Sequence, residues 1–316
     1  MDFDSDIYDK FKKTSESPLK QSKKTFLPGK IIERNRARIL VSRQEYSHPI
    51  SLPSLPFFKN ACACSLELLY GIREKKGSKL AASGIKDLHD AARNPLYKKE
   101  ASTALNSINN GFNSVKTLLK SRFPASHKLS FLMLSYFNKE DFLYVDIETL
   151  SLDVNSPVIM IGAGYFTGDK YFVDQYTALD YASEYEMLEE FKKLLPGKKA
   201  FVTFNGRSFD IPFIDARIGY YGGASGLTAM HNFDLLHFSK KAYRGQTDSY
   251  RLKQVERMLK IKDRDDDIDG SEVGYYYNKF VATRDPSYIT PIIHHNKEDI
   301  ESLLLISNKL VEKWGK

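Results

Sequence analysis

Phe142 to Leu152 reads FLYVDIETLSL. An apolar run, Phe142-Leu143-Tyr144-Val145, leads into two acids with one residue between them, Asp146 and Glu148. Such a run, rich in aromatic and β-branched residues, reads as a buried strand. Side chains alternate faces along a strand, so Asp146 and Glu148 point the same way and share one site. Like charges that close repel one another, and a divalent cation is the natural third party. A lone Asp-x-Glu is more often an ordinary pair of solvated acids at a strand end. What separates the two readings lies elsewhere in the chain.

Working outward, 316 residues with a 42% hydrophobic share suffice for one large domain or two modest ones. No uninterrupted apolar stretch approaches the ~18 to 20 residues of a membrane span. The opening, MDFDSDIYDKFKK, has neither the basic start nor the apolar middle of a secretory signal. A soluble, cytoplasmic protein with no membrane partner is the expectation. Cys62 and Cys64 are too close for an ordinary disulfide and too few for a four-ligand zinc site, so they read as reduced thiols. The net charge of +7 divides unevenly, with +12 on residues 1–140 and −5 on residues 141–316. A basic half joined to an acid-rich half suggests a positive surface for a polyanion beside carboxylates that need a cation before they tolerate phosphate.

Residues 1–28 are rich in Ser, Lys and Asp with little periodic apolar content, and read as a disordered tail. Lys30, Arg34, Arg36, Arg38 and Arg43 are then interleaved with Ile31, Ile32, Ile39, Leu40 and Val41, a strand or amphipathic segment suited to phosphate contact. SHPISLPSLP, Ser47 to Pro56, holds three prolines and reads as an extended connector. From Phe57 to about Lys128 the pattern is helical. Within it Gly84-Ile85, between Lys79–Ser83 and Lys86–Ala92, faintly resembles the turn of a helix-hairpin-helix unit. Lys86 stands there where such turns carry a second glycine, and a helical bundle needs glycine turns for its own sake. The region 29–138 is thus expected to be basic, mainly helical and nucleic-acid-binding.

After residue 139 strands and helices alternate. Pro157–Phe166 and Lys170–Tyr176, separated by Thr167-Gly168-Asp169, predict an antiparallel hairpin. Met187, Leu188, Phe191, Leu194 and Leu195 fall at helical spacing before Pro196-Gly197, and Ala200–Phe204 reads as a further strand. The fold class is α/β, a mixed sheet flanked by helices. Two more stretches carry chemistry. In FNGRSFDIPFID, Phe204 to Asp215, Asn205-Gly206 makes a turn and Ser208 is placed to cap a helix whose Ile211, Ile214 and Ile218 face the sheet. Asp210 then sits in its first turn, where a helix dipole also favours an acid. In IIHHNKEDIESLLL, Ile292 to Leu305, the residues Ile300, Leu303 and Leu304 mark a final helix with Asp299 near its start. His295 shares the face of Asp299, whereas His294 is about 140° around an ideal helix. If the helix begins after the histidines, either reaches the site.

These three stretches, in this order, resemble the three exonuclease motifs of the DEDD superfamily, the DnaQ-like 3′–5′ exonucleases with a ribonuclease H-like fold. DIET matches Asp-x-Glu at Asp146 and Glu148, NGRSFD matches Asn-x-x-x-Phe-Asp at Asn205, Phe209 and Asp210, and HHNKED supplies Asp299. VTFNGRSFDIPFI, HNFDLLHFSKKAY and the DDDIDGSEVGYYYNKF run look like the YprB-type ribonuclease H-like domain. The resemblance covers about residues 140–313 and implies a five-stranded ribonuclease H-like sheet over 139–316. It implies that Asp146, Glu148, Asp210 and Asp299 hold two Mg²⁺ or Mn²⁺ ions, with Asp146 bridging, and that a histidine orients or deprotonates the nucleophile. The superfamily divides by a histidine five residues before the last Asp or a tyrosine four before it; here His294 has the first spacing and His295 the second. His295 is favoured, because it shares the face of Asp299 and His-Asn looks like the YprB-type pattern, with His294 as the substitute. Asn205, Arg207 and Phe209 are the candidates for holding a terminal nucleotide, by hydrogen bond, phosphate contact and packing.

The function this implies is metal-dependent 3′–5′ hydrolysis of DNA or RNA. A structure-specific endonuclease of the same fold is one alternative. A non-catalytic nucleic-acid-binding protein is another, and it predicts a missing carboxylate where all four are present. Asp265, Asp267, Asp269 and Gly270 resemble the opening of an EF-hand loop, but Tyr276 stands where a bidentate Glu is required, so calcium is not expected. Asp234, between His231 and His237, reads as a structural acid. Tyr275, Tyr276, Tyr277 and Phe280 read as a stacking platform or as core.

Overall fold

Lys30–Arg34 and Ala37–Tyr46 form a hairpin, β1 and β2, around Asn35 and Arg36, whose φ of 51° and 69° suit a two-residue turn matched to strand twist. These strands belong to a computed structural model that describes residues 27–264 and 267–315. The tail expected over 1–28 lies, but for Leu27 and Pro28, outside the described residues. After the hairpin come six helices, α1 (Leu55–Ala63), α2 (Glu74–Ala82), α3 (Leu88–Arg93), α4 (Lys98–Asn109), α5 (Phe112–Arg122) and α6 (Lys128–Leu132). The proline-rich connector ends earlier than its composition suggests. Ser54 caps α1 and Pro56 sits in its first turn, where a missing N–H costs nothing.

The chain continues as β3 (Phe142–Thr149), β4 (Val158–Thr167), β5 (Lys170–Ala178), α7 (Glu184–Lys192), β6 (Ala200–Thr203), α8 (Asp210–Tyr220) and β7 (His231–Asp234). It closes with α9 (Leu235–Ala242), α10 (Leu252–Met258), α11 (Val273–Thr283) and α12 (Pro286–Trp314). All seven strands form one sheet in the order β1-β2-β5-β4-β3-β6-β7. β3 pairs in parallel with β6, and β6 with β7, while the rest are antiparallel. The sheet therefore has seven strands where five were expected. The extra two are the basic segment 30–46, and β2 covers the edge of β5 from Ile39↔Ala178 to Tyr46↔Tyr171, an edge that would otherwise present unpaired backbone groups.

The alternation read in β3 is realised. Phe142 and Tyr144 join Ile300, Leu303 and Leu304 of α12 in one core, and Leu143, Val145 and Ile147 join Ile211, Ile214 and Ile218 of α8 in the core on the opposite face. Phe58, Leu68 and Leu88 belong to the first of these cores, so the helical region and the sheet are packed into one another. α12 comes so close to β4 that a Cβ on Gly162 would collide with Asn296 and Ile300, and one on Gly164 with Ile300 and with Tyr171 of β5. Two readings of the N-terminal region change here. Around Gly84 the amides are consumed within the structure, Gly84 N–H donating to Ala81, Ile85 N–H to Leu80 and Lys86 N–H to Asp90, so none is left for a phosphate. Arg34 pairs with Glu186 and Glu190, Arg38 with Glu33, and Arg43 with Asp174, which neutralises much of the hairpin's charge.

Candidate active site

β3 pairs with β6 only from Phe142 to Tyr144, because β6 stops at Thr203. The next outward N–H, that of Ile147, needs another acceptor and finds it in Asp210 Oδ1 at 3.0 Å. Asp210 begins α8, but Ser208 does not cap that helix: Phe209 occupies the cap position and Ser208 N–H closes a turn onto Asn205. Asn205 takes the left-handed conformation at φ 65°, and at Gly206 a Cβ would stand 2.8 Å from Asp210 Oδ2, so the glycine leaves the carboxylate its space. The turn is pinned from below by Asp234, which accepts the N–H groups of Asn205 at 2.8 Å and Arg207 at 3.2 Å while capping α9. Asp234 is thus a structural acid, as its sequence setting suggested.

α12 begins at Pro286, well before the histidine pair, and this separates the two. His295 is buried, its Nε2 3.7 Å from Asp299 Oδ2, whereas His294 is exposed and lies 3.9 Å from Glu298. Asp146, Glu148, Asp210, Asp299 and His295 are therefore brought together at the end of β3. Burial pushes the Asp146 carboxyl well above its usual range, and the fields of Asp299, Asp210 and Glu148 push it further. Glu148 is raised to about 8 and Asp210 to about 7, burial leading in both, with Asp299 among the charges acting on each. Burial alone would lower His295, but a 2.7 Å hydrogen bond to Asp267 and the charges of Asp299 and Glu148 raise it to about 9.

Three residues were not read from the sequence as belonging to this site. Asn296, fully buried, donates to Asp146 Oδ2 at 2.9 Å and accepts from Gln175 at 3.0 Å, in the gap left by Gly162. Its signal was its place inside HHNKED. Asp267, weighed as part of a calcium loop, instead accepts from His295 and receives Lys253 and Arg264; Asp265 of that loop lies outside the described residues. Arg264 reaches Asp299 at 2.6 Å and Glu256 at 2.7 Å. Nothing local ties Asp267 or Arg264 to the site, since the site residues they meet, His295 and Asp299, are remote in sequence. Asn205 and Arg207 are exposed and Phe209 half-buried on Phe213, all on the rim beside Asp210. Tyr277 and Phe280 are core, while Tyr275 is exposed.

Three of the four acids have a partner of their own: Asp146 accepts from Asn296, Asp210 accepts from Ile147 N–H, and Asp299 forms an ion pair with Arg264. Among the described residues no three His, Cys, Asp or Glu side chains converge as a ready coordination shell. The donor set still fits hard divalent ions. It is made of carboxylate oxygens, they crowd together at the end of β3 at the cost of mutual repulsion, and cationic charge relieves that repulsion.

A family model described as the RNase H superfamily matches residues 143–311. An uncharacterized Bacillus subtilis protein, YprB, is 25% identical over 182 residues, spanning 57% of this chain and 43% of YprB. The catalytic polypeptide of DNA polymerase epsilon from Dictyostelium discoideum is 28% identical over 140 residues, 43% of this chain and 5% of that polypeptide. The chain spans less than half the length of either relative. Among solved structures, the family B DNA polymerase of Pyrobaculum calidifontis is similar at a TM-score of 0.43 and 20% identity, covering 54% of this chain and 24% of that one.

Proposed function

The chain belongs to the RNase H superfamily, and on that premise we propose that it is a metal-dependent 3′–5′ exonuclease acting on the phosphodiester bonds of DNA or RNA. The observation that carries the reading is the gathering of Asp146, Glu148, Asp210 and Asp299 from three separate stretches of chain into one cluster beside His295. The four carboxylates would hold two Mg²⁺ or Mn²⁺ ions. When bound, such ions supply Lewis-acid stabilisation to the attacking and leaving oxygens of an in-line displacement.

The remaining work falls to the chain's own groups. Asp267 accepts the Nδ1–H of His295, which leaves Nε2 as the atom turned toward Asp299 and able to take a proton from an attacking water. With Glu148 and Asp299 compensated, two of the influences that raise this imidazole are removed and its neutral, basic form becomes accessible. Asn296 and Ile147 N–H hold the Asp146 and Asp210 carboxylates in orientation. Asn205, Arg207 and Phe209, on the rim, would receive the terminal nucleotide.

A degradation panel tests this: 5′-labelled single-stranded and duplex DNA and RNA, in Mg²⁺, Mn²⁺ or EDTA, with wild type and Asp146→Ala. The expected result is a ladder shortening from the 3′ end, absent in EDTA and in the variant. Internal cleavage of a 3′-blocked oligonucleotide would replace the exonuclease with the endonuclease reading, and cleavage undiminished by Asp146→Ala would sink both.

A further inference from the structure

The strongest unassigned feature is a cleft of about 430 Å³ whose lining residues Arg207 and Ile211 flank Asp210, between α5 and α6 on one wall and the β6–α8 turn, α8 and β7 on the other. Lys116 and Lys120 project into it from α5, and Arg207 from the turn that also carries Asn205 and leads to Asp210. Their fields converge: burial drives the His231 imidazole down to about 3, with Lys116, Arg207 and Lys120 all pushing the same way. Among the described residues no ion pair joins a carboxylate to Lys116, Lys120 or Arg207, and the one acid in the lining, Asp234, is taken up by backbone N–H groups of Asn205, Arg207 and Leu236. The contrast with the hairpin is informative, because Arg34, Arg38 and Arg43 there are already paired. The lining also offers apolar surface, from Phe123, Leu119, Met230 and Ile211, alongside the polar Ser130, Thr228, Asn232 and His237, and the Phe123 and His127 rings stack with centroids 3.8 Å apart.

We propose that this cleft is the path of a single nucleic-acid strand toward the carboxylate cluster, its phosphates held by Lys116, Lys120 and Arg207 and its bases lying against the apolar part of the lining. Unpaired cations attract a polyanion through counterion release, and apolar surface that includes an aromatic ring suits unstacked bases, whose faces a duplex hides. The inference deepens the nuclease reading and rests on it for the identity of the polyanion. It gives the helical region a definite task, as one wall of the substrate path.

The test is binding in EDTA, where no cleavage intervenes, followed by anisotropy of 5′-labelled oligo(dT), oligo(rU) and a duplex across a salt series. Lys116→Glu/Lys120→Glu is expected to weaken single-strand binding roughly tenfold or more and to flatten the slope of log K against log[salt] by at least about 1.4, two contacts' worth. Lys75→Glu/Lys76→Glu, the same charge change on exposed lysines of α2 away from the cleft, is the control. Equal weakening by the two variants, no weakening by the first, or tighter binding of duplex than of single strand overturns the proposal. A second measurement needs no variant: 4-thiothymidine in the oligonucleotide should crosslink to peptides covering 112–123 and 227–234, and crosslinks confined elsewhere overturn it. Because these readouts require no catalysis, loss of the nuclease reading through Asp146→Ala and loss of this one are separately visible.

Discussion

At His295 a single imidazole meets Asp299 through Nε2 and Asp267 through Nδ1, while its neighbour His294 points outward to Glu298. The pair differ by one position on a helix, which turns a side chain by about 100°. Replacing His295 by Gln should therefore lower kcat by about 10² to 10⁴, the usual contribution of a positioned general base, whereas His294→Gln should stay near wild type. Comparable losses in both would remove the assignment of His295. Asp267→Asn keeps the shape but weakens the hold on the ring. Its expected cost is about 10- to 100-fold in kcat, with a pH–rate profile displaced relative to wild type; an unaltered profile would make Asp267 merely structural.

Between β4 and α12 the decisive residue has no side chain. Asn296 occupies the space above Gly162 and is locked there by Asp146 on one side and Gln175 on the other, so it has nowhere to retreat. Gly162→Ala should then cost about 1 to 3 kcal/mol by overpacking, and lower activity by displacing the donor to Asp146. Adding Asn296→Ala should recover part of that stability, so the double variant is less destabilised than the sum of the singles. Strict additivity in denaturant melts would contradict the contact. A second tie between elements is Arg217 of α8, which grips Glu184 of α7 at 2.5 Å with both side chains buried, while Glu184 also accepts from Val158 N–H of β4. Arg217→Met leaves that carboxylate without its cation and should destabilise by about 3 to 5 kcal/mol.

Taken over the whole molecule, the site works against stability, and pH exposes the conflict. Glu148 at about 8 and Asp210 at about 7, against 4.5 and 3.8 unhindered, and His295 at about 9 against 6.5, all hold protons more tightly folded than unfolded. Each contribution is complete below the unfolded value and is lost as pH rises through the folded one, so stability falls between about pH 5 and 8. Asp267 acts oppositely, being lowered to about 2, and its contribution disappears only as pH falls through that value. In EDTA the guanidinium midpoint should accordingly be lower at pH 8 than at pH 5.5. Mg²⁺ or Mn²⁺ should raise the melting temperature more at pH 8, by roughly 2 to 4 °C per kcal/mol. Equal midpoints at the two pH values would show that the carboxylates are not crowded as described.

How much of this was legible in the chain differs by the range of the interaction. Strand β3, the facing of Asp146 and Glu148, the apolar stripe of α8 and the shared face of His295 and Asp299 follow from periods of two and 3.6 residues, which are written within a few positions. The segment 30–46 was visible only as a strand or an amphipathic stretch, and its turn at Asn35-Arg36 and its choice of β5 as partner, and so the seven-stranded sheet, were not. Pairing across more than a hundred residues leaves no local trace. The same holds for Asp267 on His295, Arg264 on Asp299, and the cleft where Lys116 and Arg207 meet. Backbone geometry sets where each side chain points, so the sequence by itself determined the catalytic candidates and their local elements. Which remote charges those candidates face depends on how the layers pack, and that only the tertiary structure decided.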